Sequence, residues 1–242
     1  MTGSKQRLDQ TLVTKKLVST RSQAESYVKL GKVTVDGQIV KKAGFVVGSE
    51  SQIVVTAAEQ YVSRAALKLA SISETLKLDF TGKTVLDVGS STGGFTDYAL
   101  RHGATKVIAV ELGTDQLHPN LHGNPRIELH EKTDARTFKT DEMIDVVVAD
   151  VSFISLREIL PNIARLSNIA TQIVAMVKPQ FEARESALKH KGVIKNDKMR
   201  RDILKDFENW ALASFVIVDK ADSEVSGAKG NKERFYLLKL KH

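Results

Sequence analysis

From residue 84 onward the chain alternates short apolar runs with amphipathic stretches. The apolar runs fall at 84–89, 106–112, 127–130, 144–151, 172–178, 215–220 and 234–241. Between them, 156–166 and 199–212 carry apolar residues at helical spacing. Strand alternating with helix predicts a parallel α/β sheet covered by helices. The last two runs are joined by a stretch with no room for a helix, so an antiparallel hairpin is expected at the sheet edge.

Residues 5–56 follow a different pattern, an αα-β unit. Leu8, Leu12 and Val13 form one stripe of a helix over 7–16. Ser19 or Thr20 can cap a second helix over 21–30, which stops at Gly31. In 32–40 the Asp36-Gly37 dipeptide stands between alternating apolar residues, a hairpin signal. Residues 53–55 add a short strand. A further helix is expected near 63–76, with the linker at about 57–62. The expected domains are therefore 1–58 and 59–242.

Composition narrows the function. The longest apolar runs are far too short to span a bilayer, and the polar start MTGSKQRLDQ lacks the apolar segment of a signal peptide. A cytoplasmic protein without membrane association is expected. The chain has no cysteine, which excludes disulfides, Cys zinc sites, iron–sulfur clusters and thiol nucleophiles. The histidines at 102, 118, 122, 130, 190 and 242 lack HExxH-like spacing, so no protein-held metal is expected. The net charge is +7, and residues 1–60 hold nine Lys/Arg against five Asp/Glu. Such an excess suits a polyanion as partner. Arg21 and Lys29 tend toward one face of the second helix, and Lys32, Lys41 and Lys42 adjoin it. With Arg7 and Arg64, these are the candidate RNA contacts. The stretches RLDQ-L, STRSQAE and GKVTVDGQIV resemble the S4 RNA-binding domain, and the resemblance implies RNA binding.

The candidate cofactor site begins where the run at 84–89 enters a glycine-rich turn. The turn reads Asp87-Val88-Gly89-Ser90-Ser91-Thr92-Gly93-Gly94-Phe95-Thr96. Glycines allow close backbone approach, and a following helix offers free N–H groups. A nicotinamide fingerprint would need G-x-G-x-x-G, but Ser91 stands at the second glycine, and no Lys-Ser/Thr follows as in a Walker loop. Glu111, with Leu112 beside it, ends the next strand, where an acid can take ribose hydroxyls. Asp134 can accept from an adenine amino group, and Ala135 can pack on the ring.

Strand four ends at Asp150, which is also counted among the candidate cofactor residues, and strand five at Lys178. In a parallel sheet both ends open on the same edge, so the two side chains are expected to be neighbours. A lysine ending an apolar strand is costly to bury unless paired or neutral, which marks it as functional. Lys68, on the preceding helix, and Glu233, before the last strand, can reach the same edge.

The stretches SRAALKL, LDVGSSTGGFTD, ADVSFISL, VKPQFE and SGAKGNKE, in this order after an S4-like segment, resemble the TlyA family. Its members are historically labelled hemolysins and are similar to FtsJ-type ribose methyltransferases. The resemblance implies a class I, Rossmann-like α/β methyltransferase domain of seven strands preceded by a small α+β S4-like domain. It implies S-adenosyl-L-methionine as cofactor and 2′-O-methylation of ribosomal RNA cytidines, with ribosomal RNA or ribosomal subunits as partners. The family's Lys-Asp-Lys-Glu tetrad falls on Lys68, Asp150, Lys178 and Glu233. Asp134 stands where many members have Asn, and Glu111 where many have Asp.

The residues are consistent with ribose chemistry. C5-pyrimidine methylation commonly needs a Cys nucleophile. Amino methylation favours an Asn/Asp-Pro-Pro-aromatic motif where this chain has Asp150-Val151-Ser152-Phe153. Lys178 would take, or electrostatically stabilise, the charge of the hydroxyl, with Asp150 and Glu233 orienting and Lys68 offsetting the carboxylates. The rival readings are a membrane-active hemolysin and an RNA-binding module with a non-catalytic pocket. The sequence sets neither the target nucleotide nor the oligomeric state.

Overall fold

The structure is a computed structural model that describes residues 5–57, 61–183, 192–227 and 230–241. The chain divides into two compact units, Met1–Leu67 and Lys68–His242. The boundary expected at 58/59, and the centre of the expected linker, lie outside the described residues. So do His190, His242 and residues 228 and 229 of the SGAKGNKE stretch.

The first unit contains β1 (Gln6–Arg7), α1 (Leu8–Thr14), α2 (Arg21–Lys29), β2 (Val33–Val35), β3 (Gln38–Ile39), β4 (Val46–Val47) and β5 (Ile53–Val55). Of the two expected caps, Thr20 serves α2: its hydroxyl accepts from Gln23 N at 3.2 Å. Ala24, Tyr27 and Val28 recur at helical spacing and are fully buried, as are Leu8 and Leu12 of α1. Asp36 and Gly37 both adopt the left-handed conformation, with φ of 51° and 82°. That is what a two-residue primed turn between β2 and β3 requires. β5 pairs antiparallel with the other side of β2. The β1–β4 ribbon is a feature the pattern did not announce, since two-residue strands show no periodicity.

The other elements are α3 (Arg64–Ser73), β6 (Thr84–Val88), α4 (Gly94–Arg101), β7 (Lys106–Val110), β8 (Ile127–His130), β9 (Val146–Ala149), α5 (Leu156–Leu166), β10 (Gln172–Val177), α6 (Pro179–Glu182), α7 (Asp197–Ala211), β11 (Phe215–Asp222) and β12 (Arg234–Leu240). The seven strands of the second unit form one sheet in the order β11-β12-β10-β9-β6-β7-β8. β6 to β10 run parallel, and the nearly unbroken apolar sequences of β6, β7, β9 and β10 fit strands buried on both faces, while β8 is the half-exposed edge. Leu86, Ile108, Val147, Ile173 and Val177 belong to one core with Leu156, Ile159, Leu160 and Ile163 of α5 and Leu204 and Phe207 of α7.

The edge hairpin is as expected. β12 lies antiparallel between β10 and β11, and β11 ends the sheet. β11 runs to Asp222 and carries a register shift between Ile217 and Asp219. The chain leaves β6 through β7 and β8, then returns to the opposite side of β6 as β9. In such sheets, ligands sit at the carboxyl ends of the strands beside this reversal. Among the described residues, no helix is long and apolar enough to cross a membrane.

Candidate active site

Beyond β6 the glycine-rich turn leads into α4, and its glycines serve different ends. Gly89 has φ of 79°, and a Cβ there would lie 2.9 Å from the carbonyl oxygen of Asp150. The backbones leaving β6 and β9 thus pass too close for any side chain. Gly93, the N-cap of α4, has φ of 80°. Its missing Cβ would meet Leu121 and Leu117 at 2.5 and 2.7 Å. Handedness and packing both favour glycine at 93, a reason beside close approach to a ligand.

A cleft of about 700 Å³ opens at this edge. Of the expected cofactor residues, Gly89, Ser91, Glu111, Leu112, Asp134, Ala135 and Asp150 line it. Asp87, Ser90, Thr92, Gly93, Gly94, Phe95 and Thr96 are not among the lining residues. Asp87 is buried and accepts from the Thr96 hydroxyl at 2.6 Å. Burial, with Asp150 and Glu111 adding like charge, pushes its carboxyl up to about 7. Asp87 Oδ1 and the buried Ser90 Oγ have no hydrogen-bond partner. Phe95 packs on Phe235, ring centroids 6.0 Å apart.

Two acids shape the rim. Glu111 accepts from Ser91 N at 2.9 Å and Gly113 N at 2.8 Å, tying the glycine turn to the loop after β7. Each carboxylate oxygen retains a lone pair for a further donor. Asp134 is engaged by Arg136, whose Nη2 donates at 2.6 Å and whose backbone N donates at 2.9 Å. Hydrogen bonds from Arg136 hold the Asp134 carboxyl below its ordinary range. These acids, with Asp150, suit a cationic nucleoside.

The tetrad assembles as two ion pairs. Lys178 Nζ lies 2.5 Å from Asp150 Oδ1, and Lys68 Nζ lies 2.6 Å from Glu233 Oε2. Lys68, Lys178 and Glu233 are all buried. Strand register sets the pairs side by side. Val177 is opposite Arg234 in the antiparallel β10–β12 ladder, so Lys178 and Glu233 occupy the next facing positions beyond it. Glu233 also fills the space beside Gly227, where a Cβ would meet its Oε1 at 2.1 Å.

The sequence reading passed over several neighbours. Ser152 Oγ accepts from Lys178 Nζ at 2.7 Å. Phe153 is 91% exposed at the cleft and has φ of 66°; its ring lies 5.2 Å from that of Phe181. Gln116 and Arg136 line the cleft as well. Glu182, quoted above only as part of a motif, is a buried clamp on α5. It accepts from Ser155 Oγ at 2.6 Å and from Leu156 N at 2.7 Å, while burial raises its carboxyl. Ser152 and Phe153 stand two and three residues after Asp150, so closeness in sequence was the available signal for both.

In the first unit, the candidate RNA contacts Arg7, Arg21, Lys29, Lys32, Lys41 and Lys42 are exposed, and Arg64 is partly so. Arg7 and Arg21 converge on the buried Asp9, at 2.9 and 2.7 Å. Hydrogen bonds from Arg7 and then Arg21 outweigh burial and hold Asp9 down at about 2. The two guanidiniums are thereby fixed, with their outer N–H groups left toward solvent. Lys41 and Lys42 line a second, open cavity of about 620 Å³ together with Ile39 and Phe45.

Known proteins share both halves. The profile of the FtsJ-like methyltransferase family matches residues 61–240, and that of the S4 domain matches residues 6–53. The 23S rRNA (cytidine-2′-O)-methyltransferase TlyA of Campylobacter jejuni is 42% identical over 180 residues, which is 74% of this chain and 70% of that protein. The 16S/23S rRNA (cytidine-2′-O)-methyltransferase TlyA of Mycobacterium tuberculosis is 36% identical over 239 residues, 96% of this chain and 89% of its own. The solved structure of a protein described as a hemolysin, from Streptococcus thermophilus, matches with a TM-score of 0.73 at 31% identity. It covers 98% of this chain and 89% of its own.

Proposed function

The chain belongs to the FtsJ-like methyltransferase family, and on that premise we propose that it methylates the ribose 2′-hydroxyl of a cytidine in ribosomal RNA. The observation that carries this reading is the pair of lysine–carboxylate contacts, Lys178–Asp150 and Lys68–Glu233, at the edge where the acid-rimmed cleft opens.

S-adenosyl-L-methionine, when bound, supplies a methyl group already activated on a sulfonium. The protein must then place a 2′-oxygen in line with that methyl and dispose of one proton. Glu111 would hold the cofactor ribose and Ala135 would lie against its base. Lys178 would receive the hydroxyl proton or hold the developing charge, with Asp150 fixing its ammonium. Glu233, itself neutralised by Lys68, would orient the acceptor. No step needs a protein-held metal. The first unit would dock RNA through Arg7, Arg21, Lys29, Lys32, Lys41 and Lys42. The partner would be a ribosomal subunit or its RNA, and the compartment the cytoplasm.

The test is methyl transfer to ribosomal RNA, with mass spectrometry locating the product. Lys178→Ala should slow transfer by roughly 10²–10⁴-fold, the range of general acid–base catalysis, with little change in cofactor affinity. Lys178→Arg should not rescue a proton-accepting lysine, because guanidinium keeps its proton. Rescue by Arg would assign Lys178 to fixed charge. A methyl group found on a base, or an undiminished rate in Lys178→Ala, would overturn the reading.

A further inference from the structure

Lys178 Nζ has two side-chain partners, and they differ in what they can do. Asp150 Oδ1 lies at 2.5 Å, and Ser152 Oγ accepts at 2.7 Å. Asp150 carries the counter-charge of the ammonium, whereas the uncharged Ser152 hydroxyl accepts an Nζ hydrogen whether the lysine is charged or neutral. The lysine is 8% exposed, so water cannot easily replace a partner it loses. The serine is held at a fixed turn, since the next residue, Phe153, has φ of 66°. A bulky residue in that region persists only where its surroundings impose it. Ser152 also lines the cleft, so it faces the space in which the reaction takes place.

We propose that Ser152 is a positioning residue for methyl transfer, holding Lys178 Nζ in both of its protonation states. The inference rests on Lys178 being the proton acceptor. In that step, the 2′-O–H bond breaks toward the lone pair of the neutral Lys178 amine. The pair left on oxygen forms the new O–C bond, and the electrons of the broken S–C bond go to sulfur. Ser152 Oγ accepts an Nζ hydrogen before and after the transfer, which leaves the single lone pair of the amine free for the 2′ proton. Without it, Nζ is held by Asp150 alone and its lone pair is no longer aimed at the acceptor.

The experiment is the pH profile of single-turnover methyl transfer for the full chain and for Ser152→Ala, Ser152→Thr and Lys178→Ala. Cofactor affinity is measured by calorimetry in parallel. Ser152→Ala should lower the rate about tenfold at every pH without moving the limb along which the rate rises with pH. Its cofactor affinity should match the parent's, and Ser152→Thr, which keeps the hydroxyl, should recover most of the rate. An undiminished rate in Ser152→Ala, a shifted limb, or a loss as large in Ser152→Thr would overturn the assignment of Ser152. If Lys178→Ala retains the limb, the lysine reading itself fails. If that variant loses the limb while Ser152→Ala keeps the parent's rate, only the role of Ser152 falls.

Discussion

Asp87→Asn should make the protein more stable at alkaline pH, although it replaces a motif residue. Asp87 is buried beneath the glycine turn, with Oδ2 bonded to Thr96 and Oδ1 unpartnered. Burial raises its carboxyl from 3.8 to about 7. Between those values the folded chain keeps a proton that the unfolded chain has released, so stability falls as pH rises through the window. Above about 7 the loss is complete. A shift of about three units, at about 1.4 kcal/mol each, amounts to about 4 kcal/mol. That is a large share of the ~5–15 kcal/mol that holds a typical domain together. Asn has nearly the same shape, accepts from Thr96 through its amide oxygen and never ionises. Urea unfolding of both proteins across a pH series, taken as a difference, isolates residue 87, because distant titrating groups cancel. The two should be close at the acid end, with the variant ahead by a few kcal/mol at the alkaline end. A difference that does not change with pH would refute the reasoning.

Other perturbations test the packing around the site. Glu182→Ala removes the acceptor for Ser155 and Leu156 at the start of α5. It should cost about 2–3 kcal/mol and lower the melting temperature by several degrees, with a smaller loss for Glu182→Gln. Gly93→Ala forces a Cβ toward Leu117 and Leu121 in a left-handed backbone, and should lower the unfolding midpoint by about 2–4 kcal/mol. Deleting residues 1–56 should leave cofactor binding, measured by calorimetry, nearly intact, and should abolish methyl transfer to ribosomal substrate.

What could be read from the chain follows the range of the interactions. β6, β7, β9 and β10 were legible because strands buried on both faces leave long apolar runs. The meeting of Asp150 with Lys178 followed from two parallel strands ending at one edge. The reason for Gly93 was not legible, since Leu117 and Leu121 reach it only through the fold. Nor was the role of Glu182, which caps a helix that begins at position 156. Ser152 stood two residues after Asp150, but its contact with Lys178 crosses from one strand end to another, which no local pattern announces.

The placement of β12 has a bearing on which length changes the lineage can absorb. Side chains on a strand alternate faces, so a one-residue slip of β12 against β10 would turn Glu233 away from Lys68 and move it by about 3.3 Å. The five pairs joining β10 to β12 run without interruption, and the irregularity in the hairpin falls on the β11 side instead. Insertions accommodated by the outermost strand would therefore leave the reaction intact. A single residue gained or lost within 234–240 would disable it while keeping the apolar pattern almost unchanged.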